Sequence, residues 1–503
     1  MLSHVPSGAR ALAEVYSMRL KVAGKRRRWI LAVLVIAWTP AAAQRSDDRT
    51  SLVQSIDAKR ESYATIAKQI WAFAEVGYQE AKSSALLQQQ LRAAGFQVKA
   101  DVADIPTAFV ATFGSGKPVI GIVGEFDALP GLSQEAQTAA RHAIEENAPG
   151  HGCGHNLLGT GALAAAVAVK EWMAASGQKG TLRYYGTPAE EGGSGKVYMV
   201  RAGLFSDVDV AVSWHPGDRN EASPTSSTAN ITAKFRFHGV AAHAAAAPDR
   251  GRSALDAVEA MDYMVNMMRE HVPQETRIHY IITRGGAAPN VVPDFAEAYY
   301  YARQPNMPIL DKIWDRIVDA AKGAALGTGT TMDLEVTGAV YNVLPNEYLS
   351  GVMNRNLERI GGFPYTAEEA RFAEEIRKTL TDPPDVAIGS QEKIRPMRTG
   401  AVNSSSTDYA DVSWSVPSVS MTAATFAPGV PAHSWQATAC AGSTIGVKGM
   451  MVAAKSMALT TVDLFTDPAH IQKAKAEFDQ KRGPNFVYKT RLADRKPALD
   501  YRK

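Results

Sequence analysis

Residues 119–127 read Val-Ile-Gly-Ile-Val-Gly-Glu-Phe-Asp, and this stretch decides the fold class. The first five residues carry no polar side chain, which is typical of a strand buried on both faces by helices. Glu125 and Asp127 follow at the carboxyl end of the strand, which is where open α/β sheets bind their ligands. The stretch therefore predicts an α/β protein whose chemistry lies at one edge of a central sheet.

Strands and helices alternate on both sides of this stretch. Apolar runs predict further strands at residues 108–113, 181–185 and 204–214, and an Ala-, Leu- and Val-rich run predicts a buried helix at residues 157–173. The chain has 503 residues, more than one hydrophobic core usually supports. We therefore predict two domains, of which the catalytic one has a central mixed sheet flanked by helices.

A second pattern interrupts the catalytic domain from residue 223 onward. Three strand-like runs and two amphipathic helical runs follow one another there: 231–238, 253–270, 277–283, 295–303 and 309–325. They predict an inserted α+β lid or dimerisation domain with its own antiparallel sheet. The predicted organisation is a signal peptide (1–43), a first part of the catalytic domain (44–222), the inserted domain (223–337), a second part of the catalytic domain (338–470) and a C-terminal tail (471–503).

The first 43 residues have the pattern of a secretory signal. Lys25-Arg26-Arg27-Arg28 is a basic stretch, residues 29–38 are a short apolar run, and Ala41-Ala42-Ala43 offers a cleavage site. The apolar run is too short to span a bilayer comfortably, so we expect no permanent membrane anchor. We expect an exported protein, periplasmic or secreted, with Met18 as an alternative start.

The charge balance excludes one class of partner. The whole chain carries +3 and residues 1–43 carry +6, so the remainder carries −3. A nearly neutral mature protein has no electrostatic attraction for nucleic acid, and we predict no nucleic-acid partner.

A glycine-rich loop at residues 149–156, Pro-Gly-His-Gly-Cys-Gly-His-Asn, places a thiol and an imidazole two residues apart before the predicted buried helix. This spacing indicates half of a metal site, because a helix N-terminus and a metal ion both favour a thiolate at Cys153. The alternative is a disulfide between Cys153 and Cys440, the only two cysteines of the chain.

Seven residues with metal-ligand chemistry stand at predicted loop positions: Asp127, Cys153, His155, Glu190, Glu191, His215 and His433. Thiolate and imidazole ligands favour Zn²⁺ or Mn²⁺ over Mg²⁺ or Ca²⁺, and seven candidates exceed one tetrahedral site. We predict two divalent metal ions, with Cys153 able to bridge them. Such a site suits amide hydrolysis, in which a metal activates water and a neighbouring carboxylate accepts its proton.

Seven segments together resemble the M20 metallopeptidase family, and in particular its amidohydrolase branch: GEFDALPG, PGHGCGHN, TPAEEGGSGK, SWHPG, GVAAHAA, APNVVPD and PAHSW. The resemblance covers about residues 50–470. It implies five metal ligands: Cys153, His155, Glu191, His215 and His433. It further implies Glu190 as the general base, Asp127 as an aspartate that orients a ligand, His243 as a lid histidine that reaches the partner's site in a homodimer, and Asn290 and Arg303 as holders of the substrate carboxylate.

The resemblance also implies the reaction. We expect a metal-dependent amidohydrolase that cleaves N-acyl or N-aroyl amino acids with a free carboxylate, such as aminobenzoyl-glutamate. A dipeptidase or carboxypeptidase using the same dimetal site is the first alternative, and a non-catalytic metal-binding dimer is the second. His215 as a core residue, His243 as a surface residue and Arg303 as a salt-bridge residue stay open as alternatives. Glu125 stands where many family members have histidine, which leaves it without a role.

Overall fold

The computed structural model describes residues 41–502, and its side chains from residue 48 onward. The signal peptide predicted for residues 1–43 lies outside the described residues, apart from its last three. The side-chain contacts and the candidate site discussed below all lie within one compact unit, Ser46–Lys503.

Ten strands and thirteen α-helices form the described part. The strands are β1 (Gln97–Ala100), β2 (Phe109–Ser115), β3 (Val119–Glu125), β4 (Gly180–Thr187), β5 (Val210–Gly217), β6 (Ala229–His238), β7 (Arg277–Arg284), β8 (Phe295–Gln304), β9 (Thr331–Val340) and β10 (Ser418–Ala424). The helices are α1 (Ala41–Ala58), α2 (Arg60–Phe73), α3 (Ala81–Ala93), α4 (His155–Ser176), α5 (Gly195–Arg201), α6 (Ala254–Met268), α7 (Met307–Thr328), α8 (Glu347–Ile360), α9 (Ala367–Lys378), α10 (Tyr409–Ser415), α11 (Trp435–Ala441), α12 (Thr444–Thr466) and α13 (Pro468–Arg482).

The larger sheet is mixed, as predicted. Its six strands run in the order β1-β2-β4-β3-β5-β10, with β1 and β2 antiparallel to their neighbours and the other four strands parallel. All seven residues of β3 are buried, which confirms the interpretation of residues 119–123. Helix α4 is long and apolar enough to cross a membrane by length and composition, but most of it is buried against the sheet. The α/β class is thereby confirmed.

The smaller sheet is purely antiparallel, in the order β7-β8-β6-β9. Alternate residues of β6 and β8 are buried beneath α6 and α7, whereas most residues on the opposite face of the sheet are only partly buried. Its last strand continues to Val340, three residues beyond the boundary predicted at residue 337. We call the segment from β6 to β9 the lid domain.

Two predicted elements need correction. The strand predicted at residues 204–214 begins only at Val210, because α5 and a turn occupy the chain before it. The C-terminal tail predicted at residues 471–503 begins inside helix α13, which is capped by the Asp467 side chain through a hydrogen bond from the Ala469 N–H at 3.0 Å.

Candidate active site

The candidate site lies at the edge of the mixed sheet where three neighbouring parallel strands end. Strand β3 ends at Glu125, two residues before Asp127, and β4 ends shortly before the Glu190–Glu191 pair. His215 lies near the end of β5. Because parallel strands end at the same edge, residues that are far apart in sequence meet there.

The loop at residues 149–154 brings the thiol to the same edge. Gly154 has φ +76°, and a Cβ there would lie 2.8 Å from a side-chain carbon of β5, so the close approach requires glycine. His155 is the first residue of α4. The backbone N–H of His433 donates to the carbonyl of Gly152 at 2.8 Å and ties a second loop to the first. The two loops therefore present Cys153, His155 and His433 together.

The predicted metal ligands form two overlapping groups. The ligand atoms of Cys153, His155 and His215 all lie within 4.8 Å of one another, and so do those of Cys153, Glu191 and His433. The Cys153 sulfur belongs to both groups, and it lies 3.5 Å from His215 Nε2. This arrangement fits two ions that share a thiolate ligand.

Hydrogen bonds orient both buried histidine rings. His155 Nδ1 donates to Asp127 Oδ1 at 2.9 Å, and His215 Nδ1 donates to the carbonyl of Pro216 at 2.8 Å. Histidines that bind metal through one ring nitrogen usually donate from the other nitrogen to such an acceptor. The Nε2 atoms of both rings are therefore the ring nitrogens available to a metal ion.

Buried polar atoms without partners test whether a cation fits here. His155 Nε2 lies 3.2 Å from Glu125 Oε2, and Glu191 Oε1 lies 3.1 Å from His433 Nε2. Yet Glu125 Oε2, His155 Nε2 and Glu191 Oε1 form no hydrogen bond of good geometry with any described residue. Buried polar atoms are rarely left unsatisfied, and soft and borderline donors around them suit a divalent transition ion. The residues present fit the metals that the sequence predicts.

The two adjacent glutamates have opposite electrostatic environments. Burial together with the carboxylates of Glu125 and Glu191 raises the pKa of Glu190 well above its ordinary value. Although burial alone would raise it, His433 and His155 hold the pKa of Glu191 below its ordinary value. Asp127 Oδ2 accepts the Glu191 N–H at 2.9 Å, so one aspartate orients both His155 and the Glu191 backbone. Glu191 thus suits a ligand and Glu190 a proton acceptor.

Both cysteines are buried and free, so the alternative of a disulfide is not seen in the structure. Burial raises the pKa of the Cys153 thiol above its ordinary value. A metal ion at the sulfur would counteract this effect, since a coordinating thiol loses its proton.

A buried lysine that no sequence pattern predicted lies beside the site. Lys196 is fully buried on α5, and its Nζ lies 2.8 Å from Glu125 Oε1 and 2.6 Å from Asp408 Oδ1. Although burial opposes the charge, Asp408 and Glu125 raise the pKa of Lys196 above its ordinary value. Glu125, for which the sequence indicated no role, therefore bridges Lys196 and His155. Nothing in the sequence distinguishes Lys196 from a surface lysine, because its partners are remote in the chain.

One of the three predicted lid residues reaches the catalytic domain. Arg303 Nη1 donates to Ser406 Oγ at 3.0 Å, and its guanidinium lies 5.5 Å from the ring centre of Tyr301. Arg303 forms no ion pair within the described part of the chain. It is a half-buried cation where the lid contacts the catalytic domain, and no carboxylate neutralises it among the described residues.

His243 and Asn290 lie on neighbouring lid loops, joined by a hydrogen bond from the Ala244 N–H to the Asn290 carbonyl at 3.0 Å. Both are exposed, and the structure does not bring them to the metal ligands of their own chain. His243 Nδ1 accepts hydrogen bonds from the backbone N–H groups of Ala245 and Ala246, which leaves the ring proton on the exposed Nε2.

Comparison of the sequence with known proteins identifies related hydrolases. Residues 121–464 match the Peptidase family M20/M25/M40. The chain is 44% identical over 450 residues to one of the subunits of the p-aminobenzoyl-glutamate hydrolase of Escherichia coli K12, a match that covers 85% of this chain and 94% of that protein. It is 29% identical over 460 residues to the Xaa-Arg dipeptidase of Mus musculus, a match that covers 88% and 95% of the two chains.

A solved structure shares the fold. The dinuclear metal binding peptidase of the M20 family from Bacillus subtilis superimposes with a TM-score of 0.55 at 16% identity, covering 81% of this chain and 99% of that one. The resemblance inferred from sequence motifs is confirmed, and the hydrolase relatives disfavour the hypothesis of a non-catalytic binding protein. The chain therefore belongs to the M20/M25/M40 family of peptidases and is a hydrolase of amide bonds.

Proposed function

We propose that this protein is a dimetal amidohydrolase that removes an acyl or aroyl group from an amino acid with a free carboxylate, p-aminobenzoyl-glutamate being the model substrate. The observation that carries the proposal is the pair of ligand groups that share Cys153, with Glu190 beside them. A lid arginine, Arg303, adds a cation where the lid contacts Ser406 of the catalytic domain. The relative that is 44% identical supports the substrate class through its name.

Two ions, zinc or manganese, fit the ligands. Cys153, His155 and His215 would hold one ion, and Cys153, Glu191 and His433 the other. A divalent ion bound there would supply Lewis acidity, which lowers the pKa of water and polarises the scissile carbonyl. Asp127 would orient one ligand of each group, because it accepts hydrogen bonds from the His155 ring and from the Glu191 backbone.

Proton transfer falls to Glu190. Its carboxylate lies within 4.8 Å of His155 Nε2 and Glu125, beside both ligand groups. Burial and the carboxylates of Glu125 and Glu191 raise its pKa above the ordinary value for a glutamate, the direction that favours accepting a proton from the attacking water before giving it to the leaving amine nitrogen.

Arg303 is our candidate for the residue that binds the free carboxylate of the substrate. A guanidinium binds a carboxylate through two parallel hydrogen bonds, whereas the Arg303 guanidinium contacts a serine hydroxyl and an aromatic ring, neither of which neutralises its charge. Asn290 adds an amide donor on the lid, and we assign both residues to the substrate carboxylate.

We expect Arg303→Ala to lower kcat/KM for p-aminobenzoyl-glutamate by about 10- to 100-fold, since a hydrogen bond to a charged group contributes about 1.5–3 kcal/mol. The diamide of the same substrate, which has no carboxylate, should lose far less. Steady-state rates on both compounds measure the difference. Arg355→Ala on the exposed face of α8 is the matched control and should leave both rates unchanged. Equal losses on acid and diamide would show that Arg303 is only structural.

A dipeptidase on the same site is the second candidate, and it is favoured by the 29% identity to a dipeptidase over most of both chains. Both reactions need the same ligands, base and carboxylate-binding arginine, so the acyl side of the pocket distinguishes them. Comparing kcat/KM for p-aminobenzoyl-glutamate with a panel of dipeptides, Xaa-Arg peptides included, separates the two.

We also propose a homodimer formed through the lid domain. Strand β7 is an edge strand whose Ile281 is 61% exposed, and the neighbouring α6 exposes Tyr263 to 68%. Exposed apolar groups beside an unpaired strand edge are typical of an association surface. In such a dimer the exposed Nε2 of His243 would donate to the oxyanion at the partner's site, because this histidine does not approach the metal ligands of its own chain.

Mixing two inactive variants tests this arrangement. His243→Ala and Glu190→Gln should each be inactive as homodimers, and subunit exchange between them should restore activity. The mixed dimer has one site with an intact Glu190 that receives His243 from the other protomer. No recovery, although sedimentation shows mixed dimers, would place His243 outside the partner's site. A monomeric wild type with full activity would contradict the dimer itself.

A further inference from the structure

The last described residues, 483–502, form an extended segment that we call the strap. It follows helix α13 and begins against the catalytic domain, where Phe486 packs on Trp414 with ring centres 4.7 Å apart. Tyr488 donates its hydroxyl to Asp411 Oδ1 at 2.7 Å, and Leu492 is 2% exposed. The strap is therefore packed against the protein through buried and hydrogen-bonded side chains.

The middle of the strap contacts the lid domain. Arg495 donates to the carbonyl of Thr337 at 2.7 Å and to Glu335 at 2.9 Å, both on β9. Arg491 forms an ion pair with Asp311 on α7. These contacts connect the strap to both layers of the lid.

The end of the strap reaches the candidate active site. The Tyr501 hydroxyl donates to the Glu191 carbonyl at 3.1 Å, and Arg502 Nη2 donates to the same oxygen at 2.8 Å. The approach depends on Gly77, because a Cβ there would lie 2.2 Å from the Tyr501 hydroxyl. Gln79 fixes the strap from the other side by donating to the Leu499 carbonyl at 2.7 Å.

The turn that carries the glutamate pair needs such support. Ala189 and Ser194 adopt the left-handed conformation with φ +57° and +60°, which costs a residue with a side chain roughly 1–2 kcal/mol. Strained backbone persists only where the surrounding structure holds it in place. Asp127 holds the Glu191 N–H from one side, and the two strap residues hold the Glu191 carbonyl from the other.

We propose that Tyr501 and Arg502 are positioning residues that hold the Glu190–Glu191 turn in the conformation that offers Glu191 to a metal ion and Glu190 to the substrate. This inference rests on the proposed function, because it gives the two glutamates those roles. Through Arg495 the same strap joins the lid to the metal-site turn, so the position of the lid and the geometry of the ligands are set by one segment.

The test compares two Tyr→Phe substitutions within the strap. Tyr501→Phe loses the hydrogen bond to Glu191, whereas Tyr488→Phe loses the hydrogen bond to Asp411, at the other end of the strap. Affinity for Zn²⁺ or Mn²⁺ is measured on metal-depleted protein by competition with a chromophoric chelator. Thermal unfolding of the same samples reports stability.

We expect Tyr501→Phe combined with Arg502→Ala to weaken metal affinity by about 10- to 100-fold, which is typical when a group that orients a ligand is lost. The value of kcat should fall with it, and KM should change less. Arg502→Lys, which keeps a donor, should recover part of the affinity lost in Arg502→Ala. Tyr488→Phe should lower the unfolding temperature at least as much as Tyr501→Phe without altering metal affinity.

Two results would overturn the proposal: wild-type metal affinity in the double variant, or an equal loss of affinity in Tyr488→Phe. Either result leaves the proposed function intact if the wild type binds metal and hydrolyses p-aminobenzoyl-glutamate. A wild type that binds metal but hydrolyses no acyl amino acid would instead contradict the proposed function. The affinity measurement would still test whether Tyr501 and Arg502 position the metal ligands.

Discussion

Glu190→Gln is expected to lower kcat by about 10²- to 10⁴-fold while the protein keeps its metal ions. Glutamine has the shape of glutamate but cannot accept a proton, so the substitution removes the base and preserves the packing. Glu190 belongs to neither of the two ligand groups that share Cys153, and metal binding should therefore survive. Steady-state kinetics together with metal analysis of the purified variant measure both quantities.

The metal analysis distinguishes a base from a ligand. Glu190 also lies within 4.8 Å of the ligand atoms of Glu125 and His155, which form a third possible group. A variant that loses both activity and one metal equivalent would make Glu190 a ligand and would contradict its assignment as the base. Glu374→Gln, on the exposed face of α9, is the control for the chemical change and should behave as wild type.

Cys153→Ser should weaken both metal sites at once. The Cys153 sulfur is the atom that the two ligand groups have in common, and a neutral hydroxyl replaces thiolate poorly as a ligand for zinc. We expect metal affinity and kcat/KM to fall by at least about 100-fold, because removing a group that only orients a ligand already costs about 10- to 100-fold. Metal content after dialysis and activity with added Zn²⁺ or Mn²⁺ are the measurements.

Cys440→Ser is the matched control, since it makes the same chemical change at the other buried, free cysteine. It buries a hydroxyl in the core and should lower stability, yet leave metal content unchanged. Loss of one metal alone in Cys153→Ser would restrict this thiolate to a single ion. Full retention of both metals would remove Cys153 from the ligand set.

Oxidation of the wild type tests the same thiolate. Because oxidation of Cys153 would remove a metal ligand, the oxidised protein should lose activity and should regain it when reductant and metal are added.

Local patterns predicted the elements of the site because burial leaves a periodic signature in the sequence. The unbroken apolar run of β3 indicated a strand covered on both faces, and all seven residues of that strand are buried. The ligand chemistry of Cys153, His155 and Glu191 could likewise be predicted, because few residue types bind transition metals. Their assembly at one sheet edge follows from the parallel strands β3, β4 and β5.

Other features lacked any local signal. Helix α5 is only seven residues long, and its Lys196 is buried by partners that no pattern connects to it. Asp408 lies 212 residues downstream of Lys196, and Glu125 lies at the end of strand β3. The sequence does not show whether a lysine is buried or exposed. Only the packing in the folded chain decides this, and a lysine that is buried must be paired with carboxylates.

By itself, the sequence determined the α/β class, the types of candidate ligand and the acidic pair to which we assign the chemistry, since hydrophobic periodicity and ligand chemistry are properties of neighbouring residues. Only the tertiary structure decided that Cys153 belongs to both ligand groups, that Lys196 holds Glu125, and that Tyr501 reaches the Glu191 carbonyl from 310 residues away. Such contacts join residues that are far apart in the sequence. The interactions that stabilise them depend on distances in the folded protein and leave no pattern among neighbouring residues.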